Sequence, residues 1–211
     1  MPDAAELLIF LGTAAVFALV PGPGMLYVLA RSLRGGRGDG LRSAAGNGIG
    51  ASVHVCAAAL GLSALLATSA VAFTVVKLAG AGYLVFLGLQ AIFKRHDDGA
   101  DLPADAGSAG RWARSPLVQG ILSELLNPKT ALYFMALLPH FVHPERAPAA
   151  LVFVVLGLIA VVMATSVDLV VAVFAGKLGL KLMDNVRWRV RQRVASGATM
   201  IGLGAFVAVA D

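Results

Sequence analysis

The first apolar run of the chain starts at Leu7 and meets no charge until Arg31, yet Pro21-Gly22-Pro23-Gly24 sits inside it. Each proline removes a backbone donor and each glycine raises the entropy lost on ordering, chemistry that normally ends a helix and is left in water. From Leu7 to Pro21 a helix rising about 1.5 Å per residue covers roughly 22 Å. In a hydrocarbon layer about 30 Å thick, the break lies past the middle but still at membrane depth if the span continues to Ala30. Backbone groups freed there are tolerated only against protein or a water-filled cavity. Three readings follow: the freed groups line a substrate path, they bond to neighbouring helices around a proline kink, or the span ends at Pro21.

That the layer is a membrane follows from composition. Hydrophobic residues make up 58% of the 211 and charged residues 14%, and the mean hydropathy is +0.82, against about 45–50% and roughly 25% in a soluble domain. With about 20 apolar residues per span, the chain has room for about six spans and no separate catalytic domain. The single cysteine, Cys56, excludes an internal disulfide and a Cys-x-x-Cys redox pair. The N-terminal MPDAAELLIF carries Asp3 and Glu6 but no Lys or Arg, so it is read as the first span and not as a secretory signal.

Six apolar segments are marked: Ala5–Ala30, Leu41–Ala67, Val71–Phe93, Leu117–Leu138, Ala149–Ala175 and Val194–Ala210. Of the 17 Lys and Arg residues, 14 fall in the connections after segments one, three and five, counting Arg42 at the very start of segment two with the first of them; Arg146 alone lies on the other side, with Lys77 and Lys129 deeper inside segments. By the positive-inside rule the basic side is cytoplasmic and both termini are outside. The net charge of +5 is then a topology signal with some anionic-lipid contact, not a nucleic-acid footprint. PGPGMLYVLA (Pro21–Ala30) can be laid on NPKTALYFMA (Asn127–Ala136), and LGLQA in segment three is set against GLGAF in segment six. Three spans per half make the second half enter the membrane inverted, and breaks at corresponding places of inverted repeats point to a central transporter site. The expected fold is an all-α integral membrane protein with six transmembrane helices as two inverted three-helix repeats, spans one and four being broken at proline. It is one domain over 1–211, with repeat one about 5–94, a cytoplasmic linker about 95–115 and repeat two about 116–211.

Ionisable residues inside such segments are costly, at least about 2.5–3.5 kcal/mol each on insertion scales, so they are paired or face a cavity. Glu124, Asn127, Pro128 and Lys129 cluster at the second break; they form a carboxylate-binding site or a snorkelling pair near the interface. Asp168 lies deep in segment five and is a proton carrier, a partner for Lys129, Lys77 or a substrate ammonium, or a static packing ion pair. Gly46, Gly50 and His54 share one helical face, the glycines for close packing and His54 as a hydrogen-bonded core histidine or a titrating or substrate-contacting group. Lys77 snorkels outward or pairs with Asp168. His140 and His143 have metal-like spacing without companion ligands, so no metal site is assigned. Ser123, Ser166 and Ser196 lack triad partners, and GGRGDG (Gly35–Gly40) is a basic turn, not a phosphate loop.

Taken together, Pro21-Gly22-Pro23, the Gly46-to-His54 pattern, Lys77 to Gly88 and Asn127-Pro128-Lys129 with Phe134 resemble the lysine exporter (LysE-type) and homoserine/threonine efflux (RhtB-type) family over nearly the whole chain. The resemblance implies a bacterial inner-membrane carrier, not an enzyme, that exports amino acids or close derivatives on the proton gradient without a bound cofactor. On this reading the substrate sits near Pro21, Gly22, Pro23, Gly24, His54, Asn127, Pro128 and Lys129, with Asp168, Glu124 and Lys77 as coupling or ion-pair groups. The choice of amino acid stays open, as does a homodimer. The competing readings are a divalent metal-ion exporter, which needs a ligand cluster around His54 with Asp168 or Glu124, and a structural or redox membrane subunit.

Overall fold

The computed structural model describes residues 2–93, 115–183 and 186–209, so the expected linker, with Lys94, Arg95, Arg111 and Arg114, lies outside the described residues except for Ser115. Apart from the breaks in the first and fourth, the six apolar segments are helical over their described residues. Helix α1 (Ala4–Leu19) starts in a capping box, the Asp3 carboxylate accepting from the Glu6 N–H and the Glu6 carboxylate from the Asp3 N–H. It stops at Val20, whose backbone is extended, and α2 (Pro23–Ala57) begins again with Gly22 as N-cap and Pro23 in its first turn. Proline fits there because the first-turn N–H has no helical acceptor anyway. PGPG thus separates two half-helices.

The expected basic turn GGRGDG is shorter than its composition suggests. Helix persists on both sides of one residue, Gly36, whose φ of 77° is open only to glycine at little cost. Asp39 lies against the basic side chains around this hinge, 3.8 Å from Arg31 and 3.4 Å from Arg42. The second run continues through a π-turn (Ala58–Leu62) into α3 (Ser63–Thr68), and α4 spans Ala70–Phe93. In the second half, α5 (Pro116–Leu125) and α6 (Pro128–Leu132) flank the Asn127 break. A π-turn (Tyr133–Leu137) and a 3₁₀ turn (Leu138–Phe141) follow, then α7 (Ala149–Met183) and α8 (Val186–Val209). Among the described residues, two stretches, Pro23–Leu65 and Ala149–Ala175, are long and apolar enough to cross a membrane by length and composition, and the other apolar helices are shorter.

Glycines bring these helices into backbone contact. A Cβ on Gly46 of α2 would lie 2.2 Å from the Leu117 carbonyl of α5, and one on Gly120 would lie 2.5 Å from that of Ser43. The second part of α2 runs antiparallel to α7, with Gly40 against Ala172, Gly48 against Thr165 and Gly157 against Val55. Helices α4 and α8 meet reciprocally: a Cβ on Gly88 would lie 2.5 Å from the Gly197 carbonyl, and one on Gly197 2.6 Å from the Gly88 carbonyl. The glycine that meets Gly88 is therefore Gly197, upstream of the GLGAF set against it by sequence. In the core, Phe17 of α1 stacks on Tyr133 with centroids 4.2 Å apart and Phe10 meets Phe141 edge-on at 5.4 Å.

Candidate functional site

The two breaks are joined by one side chain. The last turn of α1 leaves carbonyls without helical partners, as every helix end does. Lys129, just after the second break, donates from Nζ to two of them, Phe17 O and Val20 O, each at 2.6 Å. Its ammonium also lies 4.5 Å from the Phe17 ring centroid. A cation at a helix C-terminus is favoured by the macrodipole, so an otherwise expensive buried charge has a stabilising position here. The polar groups freed by PGPG are thus answered from the other half of the chain.

The second break is braced around Glu124. Asn127 caps α6, its Oδ1 accepting from the Lys129 N–H at 3.1 Å, while its Nδ2 donates to Glu124 Oε2 at 3.1 Å. Thr130 Oγ1 donates to Glu124 Oε1. Both carboxylate oxygens of this buried residue are therefore engaged. Oε2 also lies where a side chain on Gly24 would stand, 2.1 Å from the Cβ position, and the Asn47 amide is 3.0 Å from the same point. A Cβ on Gly22 would instead meet Lys129 Cδ at 3.0 Å.

Asp168 approaches from α7. Its Oδ2 accepts from Asn47 Nδ2 at 2.8 Å, and its Oδ1 accepts from none of the described residues. The Asn47 carbonyl oxygen is buried without a partner among them. Between these groups lies a small, partly open cavity. Its lining combines polar residues, Glu124, Asn127, Lys129, Thr130 and Asp168, with apolar ones, Phe17, Ala18, Val20, Met25 and Ala164, and with Gly22.

Of the expected site residues, Gly22, Asn127, Lys129, Glu124 and Asp168 are brought together on this cavity. Gly24 packs behind it on Glu124, whereas Pro21, Pro23 and Pro128 shape the breaks without lining it. His54 stands one layer away, Nε2 3.3 Å from the Glu124 carbonyl and its ring over Phe134 at 6.3 Å. Lys77, half-buried on α4, does not line it. His143 pairs with Glu6 at 2.9 Å, and His140 packs on Phe141 and Phe206. Among the described residues, no three His, Cys, Asp or Glu side chains group to hold a metal ion. Two residues that sequence reasoning did not single out, Asn47 and Thr130, complete the site. The signal for Asn47 was an amide between two glycines of an apolar run, and for Thr130 its place beside Lys129.

The profile of the LysE type translocator family matches residues 15–211. An uncharacterized membrane protein of Vibrio cholerae is 33% identical over 203 residues, 96% of each chain. A homoserine/homoserine lactone efflux protein of Salmonella typhimurium is 32% identical over 164 residues, 77% of this chain and 74% of its own. A leucine efflux protein of Klebsiella pneumoniae is 32% identical over 154 residues, 72% of this chain and 70% of its own. No solved structure matches the chain significantly. An all-helical chain of this hydropathy, matched by that profile from its first helix to its end, belongs to the LysE-type translocator family: it is a multi-pass membrane transporter and not an enzyme.

Proposed function

We propose that the protein exports a small, uncharged-side-chain amino acid or close derivative from the bacterial cytoplasm, exchanging it for protons by alternating access at the cavity between the two breaks. The observation that carries this reading is the cavity's charge inventory. Glu124, Asp168 and Lys129 line it, leaving one surplus negative charge when all are ionised. A buried surplus charge needs a counter-ion, and a proton or a substrate ammonium each supplies one. Glu124 has both oxygens bonded within its own break, whereas Asp168 has Oδ1 uncommitted. Asp168 is thus the group that alternates between proton and ammonium, and Asn47 holds its other oxygen. Lys129 spends two donors on carbonyls and keeps a third for the substrate carboxylate. The apolar lining residues Phe17, Ala18, Met25 and Ala164 suit the uncharged side chains named for the relatives, homoserine and leucine.

The carrier has six spans as two inverted repeats, with basic connections in the cytoplasm and both termini outside. Several contacts support the repeat. Both breaks have an N-cap followed by proline, Gly22-Pro23 and Asn127-Pro128. Spans two and five, and three and six, run antiparallel on each other, and the Gly88–Gly197 contact has the reciprocity expected at a two-fold axis. Elements related by that axis can exchange roles, so closing one side opens the other.

The test is transport by purified protein in proteoliposomes loaded with labelled homoserine, leucine or lysine. An imposed pH gradient is expected to stimulate efflux of homoserine or leucine about ten-fold and to leave lysine unmoved. Equal rates with and without the gradient for all three would overturn the proposal. In the same assay Gly24→Ala should lower export by roughly 10–100-fold, the equivalent of about 1–3 kcal/mol of overpacking. Its methyl displaces Glu124 from Asn127 and Thr130. Gly22→Ala, which meets the flexible stem of Lys129 at 3.0 Å, should lose much less.

A further inference from the structure

We propose that Glu6, His143 and Arg146 form the extracytoplasmic gate of this carrier, a charged clasp between the two broken spans that opens once in each transport cycle. The inference rests on the alternating-access reading above, and on contacts that the central site does not use. Glu6 stands on the first turn of α1, at the end away from the break. Its Oε1 lies 2.9 Å from His143 Nε2, and its Oε2 accepts from Arg146 Nη1 at 3.1 Å. Both partners belong to the connection between the 3₁₀ turn and α7. Glu145 flanks them, 3.6 Å from His143 Nδ1 and 3.9 Å from Arg146 Nε. The clasp thus ties the outer end of span one to the outer end of span four.

Behind it, the same two segments close on each other with aromatic rings. Phe10 meets Phe141 edge-on at 5.4 Å and, one layer deeper, Phe17 stacks on Tyr133 at 4.2 Å. Phe17 is also a wall of the cavity. A substrate leaving between α1 and the 133–141 segment must part these layers and then the clasp. At the opposite end the two broken spans are held differently. There Tyr27 Oη lies 3.0 Å from Gln119 Oε1 and 3.4 Å from the Pro116 carbonyl, an uncharged tie. The cavity lies between these two ties.

Magnitude separates a gate from a staple. The side chains of Glu6, His143 and Arg146 are 29%, 26% and 47% exposed. Ion pairs this open to water are screened and weak enough to break in every turnover. The chain between α1 and α2 can absorb the movement, because Val20 and Gly22 are extended and lie outside both helices. Half-helix α1 is therefore a unit able to swing about PGPG.

Two measurements test this, both with Cys56→Ala to remove the native thiol. In the first, Glu6→Gln with Arg146→Gln is combined with the reporter Ala18→Cys in the cavity wall, and spheroplasts are treated from outside with an impermeant maleimide. Labelling is expected to rise about ten-fold over the reporter with the clasp intact; unchanged labelling would overturn the gate. This readout involves neither substrate nor proton gradient, so it stands even if the transport proposal fails. In the second, Glu6→Cys with His143→Cys is bridged by a short bifunctional methanethiosulfonate in proteoliposomes. Leucine and homoserine efflux should fall below a tenth of the unbridged rate and return on reduction. Full efflux with the bridge in place would make the contact a static staple, and failure of the reagent to bridge the pair would refute the contact itself.

Discussion

Asp168→Asn is expected to leave the protein folded in the membrane while gradient-driven export falls at least about 100-fold. Asparagine has the same shape, and its carbonyl oxygen can still accept from Asn47 Nδ2, so the 2.8 Å contact survives. What disappears is the carboxylate that alternates between proton and ammonium. Removing one partner of a buried, hydrogen-bonded charge pair costs about 2–5 kcal/mol, and roughly 2.8 kcal/mol already corresponds to a 100-fold loss. Asp168→Glu retains an ionisable group in the same cavity and should keep measurable coupling. Efflux of homoserine or leucine, followed with and without an imposed pH gradient, checks both variants. Normal gradient-driven export by Asp168→Asn would remove Asp168 from the mechanism.

The sequence placed PGPG, NPK, Glu124 and Asp168 at one site because each breaks a local rule: a helix breaker or a charge in hydrocarbon is conspicuous without any partner in view. The partners were less legible. Lys129 is answered by the carbonyls of Phe17 and Val20, 112 and 109 residues away, and a backbone carbonyl has no residue signature. Asn47 is an ordinary amide until Asp168 is seen beside it. Register suffered in the same way. Matching Leu-Tyr in the two halves sets Pro23 against Lys129, whereas the helix starts set Pro23 against Pro128, one residue away. Side chains at the breaks differ between halves, so identity cannot align them, but both chains need an N-cap followed by proline to restart a helix. The Gly36 hinge was hidden by its surroundings, since four glycines between residues 35 and 40 look alike and only one of them adopts positive φ.

Lys129→Met carries the largest expected effect on folding as well as on export, because Lys129 joins the halves mechanically and electrically. Methionine matches the stem but leaves the Phe17 and Val20 carbonyls unanswered, and Glu124 and Asp168 without a nearby cation. Breaking a buried charge pair by deleting one member typically costs about 3–5 kcal/mol, a large part of the roughly 5–15 kcal/mol that holds a domain folded. Detergent-solubilised Lys129→Met should therefore show a markedly lowered Tm and poor recovery, with export below detection. The electrical share can be separated from the mechanical one by adding Asp168→Asn. That double variant returns the cavity to the net charge it has with Lys129 and both carboxylates ionised, but leaves the two carbonyls uncapped. Its Tm should recover part of the way while export stays absent. Full recovery of Tm would mean that the carbonyl contacts contribute nothing. No recovery would mean that Asp168 and Lys129 do not share one electrostatic site, and the charge inventory on which the exchange mechanism rests would fall with it.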